Sequence, residues 1–429
     1  MYDIAVIGGG TAGCAAAYTA GKLGLKVILI EKNIHLGGTI TSGLVVPVMQ
    51  SGDNQINTDF YTDLIAEMRD LGGQITYQKN PGWFNPELAK IAFDNLMQKS
   101  NVELRFNATV CKISTKEQAI QTLYINKNIL SVYNDEIYNT NSMLFEPIVA
   151  RYVIDTTGNC EIGKLLNCNF LKNENKFQPV SLRFIMSGIN LNEFSKWLTS
   201  TDKDTSVTTC ECIDGNIHLS TAYTWDTDKH WALSNIFDKA VENNDLKDTD
   251  RNYFQIFTIA GTPDSIGFNC PRITFDVDPN SVLDNTTALK EARQAIFRLS
   301  NFCKKYFPGF QNAYISNIAD SLGIRVSNRI KGKYIYTYED LISGKKFENP
   351  AVISNYPIDI HSTNKDCSTL MQTNEYQLPI EALMSYDYDN LFVAGRCLSA
   401  DFKAQGALRV QASCFSMGEA VAKHIAKLL

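Results

Sequence analysis

Two arginines, Arg325 and Arg329, stand four residues apart in the stretch GIRVSNRIKGKYIYTYEDLISGKKF at 323–347. On a helix that spacing puts both on one face. Like charges so placed repel unless an anion or acid lies between them. A substrate carboxylate held in bidentate fashion fits that need, and Asp or Glu partners across an interface meet it equally well. His361 is one of five histidines, and an unperturbed pKa of about 6.5 suits it to moving a proton. Asp359 is two residues away, on the same side if the segment is a strand. The competing reading is a structural histidine satisfied by its surroundings. Tyr376 is a second proton-handling candidate. Cys397 beside Arg396 has the chemistry for a redox role, but a small buried residue is the preferred reading. The histidines do not cluster and no Cys/His ligand spacing occurs, so no metal site is expected. Neither a G-x-S-x-G nor a P-loop is present.

The elements that must position such groups begin at the N-terminus. DIAVI at 3–7 reads as a buried strand, the alanine-rich 11–23 as a helix that Gly24 can end, and KVILI at 26–30 as a second buried strand. Gly8, Gly10 and Gly13 form G-x-G-x-x-G between the first strand and the helix. Gly8 permits the tight turn, Gly10 lets the backbone approach a pyrophosphate, and Gly13 lets helix and strand pack closely. The helix N-terminus then offers free N–H groups to the phosphates. Glu31, ending the second strand, can accept hydrogen bonds from both ribose hydroxyls of an adenosine and would repel a 2′-phosphate. FAD or NAD fits that pattern and NADP does not. The motif by itself is weak; strand, glycines, small-residue helix, strand and acid in order make it strong.

The chain has 429 residues, 44% hydrophobic and 20% charged, an ordinary globular composition. That length favours two domains, or one cofactor domain with a large insertion. The net charge of -6, with no basic stripe, argues against nucleic acid as the principal partner. Eleven cysteines without a CxxC pair read as reduced, buried thiols. No signal-peptide pattern and no run of 18 apolar residues is found, so a cytoplasmic protein with no membrane span is expected.

Further along, 56–72 and 84–99 read as helices, the second capped by Asn85-Pro86-Glu87. Residues 102–154 read as strands, as do 180–188, 217–224 and 253–260. Helices are expected over 286–305 and from about Leu408 to Leu429.

Over most of its length the sequence resembles the FAD-dependent oxidoreductases of the two-dinucleotide-binding superfamily, in particular the subfamily with an AGR motif near the C-terminus. Five stretches carry the resemblance: residues 4–45 including EKNIHLGGTITSGLV, VIDTTGNCEIG at 153–163, QPVSLRFIMSGIN at 178–190, the 323–347 stretch with Asp359-Ile360-His361, and NLFVAGRCLSADFKAQGALRVQASCFSMGEAVA at 390–422. The chain departs from the family pattern at Asn159, at Val326 and Asn328, and at Phe402 and Lys403.

The resemblance implies an α/β fold: a Rossmann-like FAD-binding domain of the glutathione-reductase type with an inserted α+β substrate domain. The FAD domain would be discontinuous, over 1–55, 100–165 and 380–429, with a helical insertion at 56–99 and a substrate or cap domain at 166–379. It implies non-covalent FAD held by Gly8, Gly10, Thr11, Ala12, Gly13, Glu31, Lys32, Gly37, Gly38, Thr39, Val110, Thr157, Gly158, Gly395, Arg396, Gly406, Leu408, Arg409 and Val410. Arg396 would make the second pyrophosphate contact, and the turn and helix start from Gly406 to Val410 would face the flavin pyrimidine. Arg325, Arg329 and His361 are the expected catalytic residues. Hydride would pass between a small polar organic substrate and flavin N5. The electron donor or acceptor is not specified, nor is the oligomeric state. No second G-x-G-x-x-G occurs, so a dedicated NAD(P)H domain is not expected. The alternatives are an RNA-modifying flavoprotein, a flavin-holding electron-transfer subunit, and an NAD-binding module.

Overall fold

The computed structural model describes residues 1–126, 145–172, 177–223, 231–361 and 369–429. A five-stranded sheet lies at the centre, in the order Leu391–Val393, Ala150–Asp155, Tyr2–Ile7, Val27–Ile30, Glu103–Arg105. Every neighbouring pair is parallel, with Ile4 opposite Val27 and Tyr152 opposite Ile4 on the other side. Parallel strands covered on both faces must be apolar throughout, which is why AVI and VILI are buried in full.

The helix Thr11–Lys22 crosses from the first strand to the second. Its small residues have a packing reason. The C-terminal helix Gln411–Leu428 runs against it so closely that a Cβ on Gly418 would lie 2.1 Å from the Ala12 carbonyl oxygen.

The stretch 56–99 is not purely helical. Between the helices Asp59–Asp70 and Pro86–Lys99 lies an antiparallel hairpin of Gln74–Tyr77 and Asn80–Phe84. Gly72 at positive φ and the left-handed Gln78 and Lys79 make its ends and its turn, a signal that periodicity alone does not carry. The cap at Asn85 is as expected, its side chain accepting from the N–H groups of Glu87 and Leu88.

A six-stranded antiparallel sheet follows, in the order Thr208–Ile213, Asn216–Tyr223, Phe254–Thr258, Ile266–Phe268, Phe184–Ser187, Tyr314–Ile318. One face packs on helices Ser234–Glu242 and Val282–Tyr306 through an aromatic cluster of Phe237, Phe254, Phe302 and Phe307. The strand period of two then turns the alternate residues Gln255 and Phe257, with Thr209, Ser220 and Ala222, to the opposite face, where they wall a chamber.

Two other expectations are corrected. The C-terminal helix does not begin at Leu408: Phe402–Leu408 is a short helix of its own, and the long helix starts at Gln411 after a break at Arg409 and Val410. Of the ten described cysteines, all free, Cys111, Cys210 and Cys212 are exposed rather than buried. The strand-like residues 127–144 and Cys367 lie outside the described residues.

Candidate active site

Two connected cavities open where the parallel sheet meets the antiparallel one. The first is a cleft of about 260 Å³ at the C-terminal ends of the parallel strands, lined by Gly8, Gly10, Thr11, Ala12, Glu31 and Lys32 among others. In open α/β sheets this edge is where ligands bind. Gly8 has φ +102°, and a Cβ there would meet the Thr156 carbonyl oxygen at 2.8 Å. A Cβ on Gly13 would fall 1.9 Å from the Gly8 oxygen. Gly10 differs: its Cβ would meet nothing nearer than the Gly38 Cα at 3.9 Å, because it would point into the cleft. Glu31 is buried and accepts from the N–H groups of Gly9 (2.6 Å) and Asn33 (2.8 Å), which fix its carboxylate on the cleft wall. Val110, Thr157, Gly158, Gly395 and Arg396 also line the cleft, with Gly38 and Thr39.

Gly37 lies off the wall at φ +95°, where a Cβ would strike the Phe93 ring. Gly406 and Leu408 do not face the cleft as the resemblance implied. Both belong to the buried short helix, and a Cβ on Gly406 would meet Ile360 at 3.0 Å. The backbone that comes to the cavities is the next break, at Arg409, Val410 and Gln411.

The second cavity is a chamber of about 530 Å³, within the range of small-molecule sites. It shares Thr39, Ile324, Arg396, Arg409 and Gln411 with the cleft. Its aromatic wall is Tyr77, Trp83, Tyr253, Phe257 and Tyr356, and its charged groups are Arg183, Arg325, Arg396, Arg409, Asp359 and His361.

Arg325 and Arg329 part company. The segment is irregular rather than helical, so their spacing does not align them. Arg325 lines the chamber, donating to the Pro179 carbonyl (2.5 Å) and the Ser181 hydroxyl (3.4 Å). Burial, then the charges of Arg272 and Arg409, hold its pKa well below the usual arginine value. Arg329 lines neither cavity. Only 1% exposed, it donates to the carbonyls of Ala400 (2.9 Å) and Lys172 (3.3 Å), tying chain segments together. Tyr376 is also shut away from both, its hydroxyl facing the carbonyls of Tyr356 and Ala407. Cys397 is fully buried in the core.

Asp359 and His361 fall on one side, as a strand requires. Asp359 lies within Ile358–Ile360, and its Oδ1 is 3.2 Å from His361 Nε2. Arg409 donates to Asp359 from the other direction, 3.1 Å to Oδ2 and 2.9 Å to its carbonyl. Burial pushes the Asp359 carboxyl up, but His361 and the Arg409 charge outweigh it and hold it below the carboxylate range. Burial, then the Arg272 charge, push His361 down to about 3. Its imidazole is therefore neutral at pH 7.

Sequence reasoning missed Arg183, which enters the chamber from the strand region SLRFIM and donates to the carbonyls of Val46 (2.9 Å) and Leu44 (3.3 Å). The available signal was a cation inside an apolar run, costly unless something pairs with it. It also missed the polar end of the chamber, where Asn269 donates to Gln255 (2.7 Å) and Tyr253 (3.0 Å).

A parallel sheet with a glycine-lined, carboxylate-edged cleft at its strand ends, opening into a second chamber, defines a dinucleotide-dependent enzyme. A family model described as FAD dependent oxidoreductase matches residues 3–428, and the chain belongs to that family. FAD is thus its cofactor, and the cleft fits it: an acid placed for a ribose, an open Gly10 for a pyrophosphate, and Arg396 between cleft and chamber. Among curated proteins the chain is similar to a tRNA uridine 5-carboxymethylaminomethyl modification enzyme, MnmG, of Chlamydia trachomatis. The identity is 36% over 72 residues, covering 17% of this chain and 12% of that protein. It is also similar to a ferredoxin–NADP reductase of Leuconostoc citreum, 55% identical over 42 residues, 10% of this chain and 12% of that one. The chain thus spans about an eighth of the length of these relatives. Among solved structures it is similar to a geranylgeranyl bacteriochlorophyll reductase-like protein of Thermoplasma acidophilum. There the TM-score is 0.48 and the identity 13%, over 99% of this chain and 78% of that one. It is similar too to p-nitrophenol 4-monooxygenase of Pseudomonas putida, with TM-score 0.46 and 12% identity over 100% and 78%. Nothing about the substrate follows from likenesses this distant. Among the described residues no helix is long and apolar enough to cross a membrane, and no cluster of metal-ligating side chains occurs.

Proposed function

We propose that the protein oxidises or reduces a small polar organic anion in the 530 Å³ chamber, its carboxylate held by Arg325 and a proton handled by His361. The observation that carries this reading is Arg325 itself. It is buried in the chamber wall with a carbonyl and a hydroxyl as its hydrogen-bond acceptors, and no carboxylate pairs with it among the described residues. A guanidinium so placed feels the Asp359 charge only at a distance, and a substrate carboxylate would supply a direct partner with bidentate geometry.

FAD supplies the two-electron chemistry, hydride transfer at N5. Gly8, Gly10 and Glu31 would hold its adenosine and phosphates, and Arg396, Arg409 and Gln411 stand where cleft and chamber join. His361 donates through Nε2–H to Asp359, which leaves the Nδ1 lone pair to take a substrate proton. A positioned base of this kind contributes about 10²–10⁴-fold. Burial, then the charges of Arg272 and Arg325, depress that basicity. An anion bound at Arg325 offsets one of them and raises the proton affinity of Nδ1, so substrate binding prepares the base.

The test is anaerobic mixing of the purified holo-protein with a panel of 2-hydroxy acids and amino acids, following flavin bleaching. At least one should reduce the flavin, and Arg325→Gln should raise the concentration required by about 10–100-fold, the loss of a charged hydrogen bond. Unchanged concentration dependence in Arg325→Gln refutes the site. Bleaching by a reduced partner protein alone identifies an electron-transfer subunit instead.

A further inference from the structure

The chamber holds more cation than one carboxylate can match. Asp359 is the single carboxylate among its described lining residues, and Arg409 is paired with it. Arg396 stands at the junction with the cleft. Arg183 and Arg325 remain, and among the described residues neither has an ion-pair partner. The acceptors of Arg183 are the carbonyls of Val46 and Leu44, which carry no net charge. Burial lowers its pKa to about 10.

Backbone register places the two. Ser181 is bridged antiparallel to Gly323, and both line the chamber. Arg183 is two residues beyond Ser181 in one direction. Arg325, two beyond Gly323, runs the other way and comes level with Pro179, whose carbonyl it binds. Both arginines line the chamber, on opposite sides of Ser181 along the chain. Their levels lie four residues apart along the segment from Pro179 to Arg183. The wall beside them carries Phe257, and Trp83 adds a buried indole N–H with no acceptor among the described residues.

We propose that the substrate is a dianion, one anionic group held by Arg325 and a second by Arg183, with its carbon skeleton lying along Phe257 and Trp83 between them. This rests on the preceding reading that the chamber receives an organic anion, and it adds the second charge and the residue that selects it. Arg183 is then a specificity residue: it makes a monocarboxylate a poor ligand beside a dicarboxylate of the right length.

Binding to the FAD-loaded protein tests this, read as the shift of the flavin absorption band with benzoate, isophthalate and terephthalate as probes. At least one dicarboxylate should bind about 10–100-fold tighter than benzoate, a second charge-assisted contact. Arg183→Gln should bring that dicarboxylate to the affinity of benzoate while benzoate itself changes less than about twofold. Arg325→Gln should weaken both kinds. If Arg183→Gln fails to retain FAD, Arg183→Lys serves instead. It keeps the charge without the fork, and should retain only part of the preference. Equal binding of mono- and dicarboxylates, or an equal effect of the Arg183 variant on both, overturns the dianion assignment while leaving the anion chamber standing. No binding by any probe overturns both.

Discussion

Alanine at Gly10 and alanine at Gly13, three residues apart in one motif, should have opposite signatures. Gly10 adopts φ -79° and ψ -168°, extended backbone open to any L-residue. Its Cβ would meet only the Gly38 Cα, at 3.9 Å. In the protein without FAD, Gly10→Ala therefore introduces no strain, and by restricting the unfolded chain it should stabilise by about 0.4–1 kcal/mol. The same methyl group occupies the space a pyrophosphate needs. Displacing the cofactor from its best position costs about 1–3 kcal/mol if it resembles overpacking in a core, a roughly 10–100-fold rise in Kd. Gly13→Ala is the reverse. Its Cβ lies 1.9 Å from the Gly8 oxygen and 2.6 Å from Thr156 Oγ1, both anchored by the first strand and the turn after Asp155. Either helix Thr11–Lys22 moves or the turn does, and the cofactor-free protein should lose at least ~1–3 kcal/mol. Urea denaturation without FAD measures the first quantity, and FAD fluorescence titration the second. Gly10→Ala that destabilises the cofactor-free protein as much as Gly13→Ala, or that binds FAD like the parent, would refute the assignment of Gly10 to phosphate approach.

Glu31→Gln removes a carboxylate from the cleft wall, and FAD should bind about 10–100-fold more weakly by fluorescence titration. His361 gives a pH prediction whose sign is fixed. Its folded pKa of about 3 lies below the ordinary value near 6.5, so between those values the unfolded chain binds a proton that the folded protein does not. Stability should fall by a few kcal/mol as pH drops through that window, and His361→Gln should flatten the dependence of the urea midpoint there. Asp359→Asn leaves Arg409 without its carboxylate. Since the two side chains keep 18% and 13% exposure, the loss should lie near the low end of ~3–5 kcal/mol, read from the same denaturation curves.

Where local chemistry dictates the structure, the sequence was legible. Gly8, Gly10 and Gly13 between two apolar strands admit one arrangement, and Asn85-Pro86-Glu87 can only open a helix. Asp359 and His361 needed only the strand period to be brought together. Arg325 and Arg329 were misread because i,i+4 spacing has meaning only on a helix, and whether 323–329 is helical depends on what packs around it. The break at Arg409 and Val410 was hidden for a similar reason. Gly406 to Leu408 read as the approach to a helix, whereas their burial against Ile358–Ile360 makes them a helix of their own. The chamber was the least legible part, since its wall is assembled from residues near 45, 80, 183, 209, 255 and 325. No local pattern reports which faces of distant strands will meet.

The imbalance of charge in that chamber has an energetic consequence. Among the described residues, Arg183, Arg325, Arg396 and Arg409 line it against Asp359 alone. An uncompensated buried cation destabilises a fold by several kcal/mol, and the acceptors that Arg183 has, the carbonyls of Val46 and Leu44, carry no net charge to offset it. Marginal stability makes such a cost heavy for any protein. It is offset when a ligand that binds only the folded state brings the missing negative charge, since at about a hundredfold excess over Kd that ligand adds roughly 2.7 kcal/mol. On the proposed reading, the same anion would offset the Arg325 charge, one of the charges that with burial keep His361 from taking a proton. Recognition and proton transfer would then be coupled through one electrostatic field, and a substrate lacking the charge would be both weakly held and poorly served by the base.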